Sequence, residues 1–175
     1  MAMSQSRSIL DARISTEGSR SRALVQRVLA TEGTAPLVAR FALALVLFPH
    51  GAQHALGWFG GYGFSGTLAW MTGTLGFPAP LAAMGIVAEL VAPLALFFGV
   101  GGRVAGALLF ALMAFAASTH LQNGFFMNWF GALPTGQEGF EYHLLAMALA
   151  TVVIIEGSGR FSLDRRLADR SRRRP

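Results

Sequence analysis

Apolar residues run almost without interruption through four stretches of the chain. The first covers about Leu37 to Gly57, the second about Ala79 to Gly99, the third about Arg103 to Asn123 and the fourth about Phe140 to Glu156. Between Phe41 and Gly102 the only formally charged side chain is Glu89, and between Val104 and Gln137 there is none. Runs near the roughly 20 residues that carry a helix across about 30 Å of hydrocarbon predict membrane spans, the fourth being the shortest. The expected fold class is all-α, a bundle of four transmembrane helices. GVGG before Arg103 predicts a tight helical hairpin, whereas Trp58–Pro78 and Gly124–Gly139 read as longer loops rich in Gly, Pro and aromatics.

Composition agrees with a membrane chain. Of the 175 residues 53% are hydrophobic and 13% charged, against about a quarter charged in a soluble domain. There is no cysteine, which excludes a disulfide, a thiolate metal site and thiol exchange on this chain. All fourteen positive charges are arginines, and their distribution sets the orientation. Six precede or open the first stretch (Arg7, Arg13, Arg20, Arg22, Arg27, Arg40), Arg103 marks the hairpin, and seven follow the fourth stretch from Arg160 to Arg174. Neither long loop carries one. The positive-inside rule then puts both termini and the hairpin in the cytoplasm and the long loops outside, N-in and C-in, as in a bacterial inner membrane. Trp58, Tyr62, Trp70, Phe126 and Trp129 would sit at headgroup level outside. Arginines confined to tails and span ends do not form a nucleic-acid surface.

Three regions follow. Residues 1–34 are an arginine- and serine-rich arm without the apolar core of a secretory leader, expected to be flexible and cytoplasmic. Leu24, Val25, Val28 and Leu29 could form an amphipathic turn on the membrane face. Residues 35–157 are the membrane domain. Residues 158–175 are a basic cytoplasmic tail, whose RRLADRSRRRP reads as a solvated anchor for anionic lipid.

Depth gives the polar residues meaning. At about 1.5 Å per residue from Arg40, Arg103 and Glu156, His50 lies about 15 Å from the inner rim, His54 and Glu89 about 21 Å, Glu141 about 22 Å and His120 about 26 Å. Each of the four helices thus carries an ionisable group into the outer half of the bilayer, where it is costly unless it faces the bundle interior, pairs, or meets water. His50 and His54, four apart, share a face. Glu141 and His143 stand roughly 200° apart and cannot both point inward; Glu141 is taken as the inward group and His143 as peripheral. Pro49 and Pro93 each remove a helical donor, freeing the carbonyls of Leu45 and Glu89 beside the histidines and the acid.

Each feature also has a plainer explanation. HxxxH has helical metal-ligand spacing, yet the preferred reading is His50 and His54 hydrogen-bonded to Glu89 or Glu141 in a structural or proton-handling role. Glu89 could be a neutral acid fastening helix to helix. His120 could be an interfacial residue at a helix end. GWFGGYG is no phosphate loop, because no Lys-Ser/Thr pair opens a helix after it. Gly102 and Gly106, spaced as GxxxG, serve close helix packing rather than a dimer contact.

PHGAQHALGWFGGYG, GTLAWMTGTLGFPAP and GIVAELVAPLALFFGVGGR, continued by STHLQNGFF, EYH and GSGRFSLD, together resemble the DoxX family of small four-helix membrane proteins over Pro36 to Leu167. The resemblance implies a four-helix bundle associated with membrane oxidoreductase systems, some of them quinone-reducing. His50, Glu89, His120, Asn123 and Glu141 match the family's polar signature; His54 stands where the family usually carries lysine.

The leading expectation is a subunit of a quinone-linked membrane oxidoreductase. His50, Glu89 and His120, with Asn123 and Glu141, would bind the quinone or relay protons, and Trp58 and Phe125 would pack on its ring. A redox partner would supply electrons; homo-oligomerisation is left open. Two alternatives stand beside it: a non-enzymatic assembly factor, and a haem or transition-metal binder using His50, His54 and His120.

Overall fold

A computed structural model describes Ala23 and residues 33–131, 133–134 and 137–173. Most of the arginine arm, with the amphipathic turn expected at Leu24, Val25, Val28 and Leu29, lies outside the described residues. The regular structure among the described residues is all helical, with no strand. Six α-helices follow in order: α1 (Ala35–Leu56), α2 (Gly63–Gly73), α3 (Ala79–Phe98), α4 (Gly102–His120), α5 (Glu141–Glu156) and α6 (Leu163–Arg173). Short 3-10 turns, Trp58–Gly60 and Leu121–Asn123, follow α1 and α4.

Three helical segments, Ala35–Leu56, Ala79–Phe98 and Gly102–Asn123, are long and apolar enough to cross a membrane. α5 has 16 residues, about 24 Å of rise, and falls short of that length. It completes the bundle nonetheless. α1 packs on α3 and α5, and α4 packs on α3 and α5, so the four helices close a ring. The core is alanine-rich: Ala39 and Ala44 from α1, Ala92 from α3, Ala105 from α4, and Ala146 and Ala150 from α5, filled out by Leu43, Leu47, Leu96, Leu109, Met113 and Val153. Small side chains let backbones approach, which is how helices associate when lipid is as apolar as their own surface. Large apolar residues face outward instead, Val38, Leu45, Val87, Val91, Val104 and Leu145 among them.

The hairpin between α3 and α4 turns through Gly99 and Gly101, with φ of 66° and 57°, a left-handed conformation that glycine adopts without steric cost. Around it this end of the bundle is tied by three side chains. Arg40 is fully buried and donates to the carbonyls of Leu96 (2.8 Å), Phe97 (2.7 Å), Arg160 (3.2 Å) and Phe161 (3.0 Å). The first two lie at the C-terminal end of α3, where a cation is favoured. Arg103 donates in the same way to Ile154 and Ile155 at the end of α5. Asp164 accepts from the backbone N–H of Gly101 (2.9 Å) and Gly102 (3.2 Å) and from Ser158 Oγ (2.6 Å), an anion at the N-terminus of α4. The basic tail that begins at residue 158 is therefore docked through residues 158–164, upstream of the expected solvated RRLADRSRRRP, and helical from Leu163.

The first long loop also departs from expectation. It contains α2, which packs on α1 and α3. Both prolines sit inside continuous helices, and the Glu89 carbonyl freed by Pro93 is covered by Gly51: a Cβ there would collide with that carbonyl and lie 2.7 Å from Leu90 Cα.

Candidate functional site

The approach of α1 to α3 at Gly51 brings together the two ionisable groups expected at one depth. His54 Nδ1–H donates to Glu89 Oε2 at 2.7 Å, with the His54 side chain 41% exposed and that of Glu89 18%. α4 adds His120, whose Nδ1–H donates to the Ala116 carbonyl at 2.9 Å, which leaves Nε2 as the acceptor nitrogen. Thr119 Oγ1 lies 3.1 Å from the same Nδ1.

α2 supplies the wall that sequence reading missed. Its Thr67 is 4% exposed, and Thr67 Oγ1 has no hydrogen-bond partner. A buried hydroxyl left unpaired is rare and calls for a water or a ligand. Thr67, Trp70, His54, Glu89, Phe115 and His120 all line one cavity of about 190 Å³. A neighbouring cavity of about 440 Å³ shares His54, Thr67 and Trp70 and extends to Tyr62. The site has aromatic and aliphatic walls and a few convergent polar groups, the usual make-up of a small-molecule pocket.

On α5 the inward group is His143, not Glu141. His143 is 8% exposed, and its ring centroid lies 4.9 Å from that of His120 at a tilt of 41°. Its Nδ1 and the adjacent Tyr142 hydroxyl are buried without partners. Glu141 instead accepts from the Met127 backbone N–H (3.2 Å) and the Trp129 indole N–H (2.5 Å). As the first residue of α5 it meets the donors of the preceding loop, and a carboxylate is favoured at a helix N-terminus.

The other expected residues fall outside the pocket. His50 is exposed and lines neither cavity. Trp58 packs edge-on against Phe48 and Phe125 against Phe140, so the rings beside the polar groups are Trp70 and Phe115 instead. Asn123 Nδ2 donates to the Glu138 carbonyl at 3.1 Å, bracing the loop between α4 and α5. Among the described residues no three His, Cys, Asp or Glu side chains are grouped to hold a metal ion. His50, His54 and His120 form no such triad: His54 is engaged by Glu89, and His50 lines neither cavity.

No curated protein and no solved structure matches the chain. The family model for DoxX matches residues 35–129, which takes in α1 to α4 and therefore His54, Thr67, Glu89 and His120. That match covers more than half of the 175 residues, and the apolar spans and the polar groups between them fall within it. The chain therefore belongs to the DoxX family of small integral membrane proteins.

Proposed function

We propose that this protein is a bacterial inner-membrane subunit of a quinone-linked oxidoreductase complex and that its outer pocket receives the quinone headgroup. The observation that carries the reading is that Thr67, whose buried hydroxyl has no partner, lines the same cavity as the His54–Glu89 pair and His120. A quinone offers two carbonyl acceptors and a flat ring, which suits a hydroxyl, imidazoles and the faces of Trp70 and Phe115. Its reduction takes up two electrons and two protons. The electrons come from a redox partner, and the imidazole–carboxylate pair is the group able to pass a proton to a reduced oxygen.

Orientation belongs to the same proposal. Arg40, Arg103 and the 160–161 loop gather at one end of the bundle, and among the described residues the opposite end carries no arginine. By the positive-inside rule that end is cytoplasmic, with both termini. α5 is read as a fourth, short span, accommodated by local thinning of the bilayer.

A second reading has its own support. His54 and Glu89 satisfy each other, as a purely structural tie would in a non-enzymatic assembly factor. Mass and absorption spectra of protein extracted in mild detergent separate the readings. Co-extracted quinone, lost in the Thr67→Val and Glu89→Gln variants, is the expected result. Quinone-free protein with unaltered behaviour in both variants would favour the assembly factor. A Soret band or stoichiometric metal would contradict the proposal in favour of haem or metal.

A further inference from the structure

We propose that the concavity between Arg160, Phe161 and the first turns of α6 binds the phosphate of an anionic phospholipid, with Phe161 entering the boundary between headgroups and acyl chains. A cavity of about 280 Å³ is lined there by Arg160, Phe161, Ser162, Arg165, Arg166 and Asp169. Three arginines and one carboxylate share the lining. Asp169 Oδ2 lies 4.0 Å from Arg165 Nε, while Arg160 and Arg166 are exposed. Guanidinium groups match phosphate oxygens through paired, charge-assisted hydrogen bonds.

The site is rigid and held at the level of the span ends. Arg40, inside α1, takes the carbonyls of Arg160 and Phe161, and Asp164 ties α6 to the hairpin before α4. Phe161 has φ of 54° and a side chain 75% exposed. A non-glycine residue holds that conformation only when its surroundings impose it. The Arg160 guanidinium lies 5.6 Å from the ring centroid. Leu163 and Leu167 on α6 are exposed as well. An exposed phenyl ring and two leucines beside three arginines suit a lipid, whereas a free phosphate would use only the charges.

The test counts lipids bound to the full chain in mild detergent by native mass spectrometry, with phosphatidylglycerol and phosphatidylcholine offered in equal amounts. Wild type is expected to prefer phosphatidylglycerol. The double variant Arg160→Gln/Arg166→Gln should lose roughly tenfold or more of that preference, since each arginine near an anionic surface contributes about fivefold. Arg172→Gln/Arg173→Gln removes equal charge further along α6 and should keep it. Phe161→Gly relieves the backbone conformation, so the fold should be no less stable while lipid retention falls. No preference in wild type, or equal loss in both double variants, would overturn the site. Loss of the preference on adding excess inorganic phosphate would assign the pocket to a free anion and overturn the lipid.

Discussion

His54 and Glu89, 35 positions apart on α1 and α3, are joined at 2.7 Å by one hydrogen bond on the wall of the cavity they share with Thr67. The bond depends on a residue that takes no part in it. Gly51, one turn before His54, lies against the backbone of Glu89 and Leu90 so closely that no side chain fits.

Gly51→Ala should therefore push α1 from α3 and lengthen or break the pair. Overpacking of this kind costs about 1–3 kcal/mol, read as a lower unfolding temperature in detergent. Gly85→Ala is the control, since a Cβ there meets only Leu112 Cδ2 at 3.9 Å and should be tolerated.

Arg40→Leu should be among the most damaging single changes. It takes a charged donor from four carbonyls, and a hydrogen bond to a charged group is worth about 1.5–3 kcal/mol. Arg40→Lys should recover only part, because an ammonium lacks the planar fork that reaches α3 and the 160–161 loop together. Denaturation of the three proteins in the same detergent gives the ranking; equal stability for Leu and Arg would contradict it.

The two acidic and basic groups at the top of α5 should separate cleanly. Glu141→Ala is expected to speed backbone hydrogen exchange around Met127 and Trp129, whose N–H groups it accepts, with little effect on ligand retention. His143→Ala should leave that loop protected and weaken whatever occupies the space beside His120. Exchange mass spectrometry of both variants checks the division.

These residues mark where sequence reading succeeded and where it stopped. Four apolar stretches were legible because lipid imposes long uncharged runs, and the observed helix ends fall within two or three residues of the expected ones. The common depth of His54, Glu89 and His120 followed from helical rise alone. α2 was not legible: GFSGTLAWMTG holds three glycines and no strong apolar periodicity, so it resembled a loop, and Thr67 and Trp70 were lost with it. Angular spacing showed that Glu141 and His143 exclude each other but not which one faces inward. The signal was there in the position of Glu141 at a helix start, beside a loop with N–H donors. Arg40 was read as a rim marker because hydropathy cannot reveal that four carbonyls from distant segments meet at its guanidinium. The docked GSGRFSLD segment stayed hidden for the same reason.

The central claim is that Thr67, the His54–Glu89 pair and His120 surround a quinone headgroup next to Trp70. Replacing Trp58 and Trp129 by phenylalanine leaves Trp70 as the sole indole, and a short-chain quinone is then titrated against its fluorescence. Saturable quenching is predicted, with the midpoint moved to roughly tenfold higher quinone by Thr67→Val, the loss of about one hydrogen bond. Quenching that rises linearly without saturation, and is the same with and without the Thr67 hydroxyl, would contradict it.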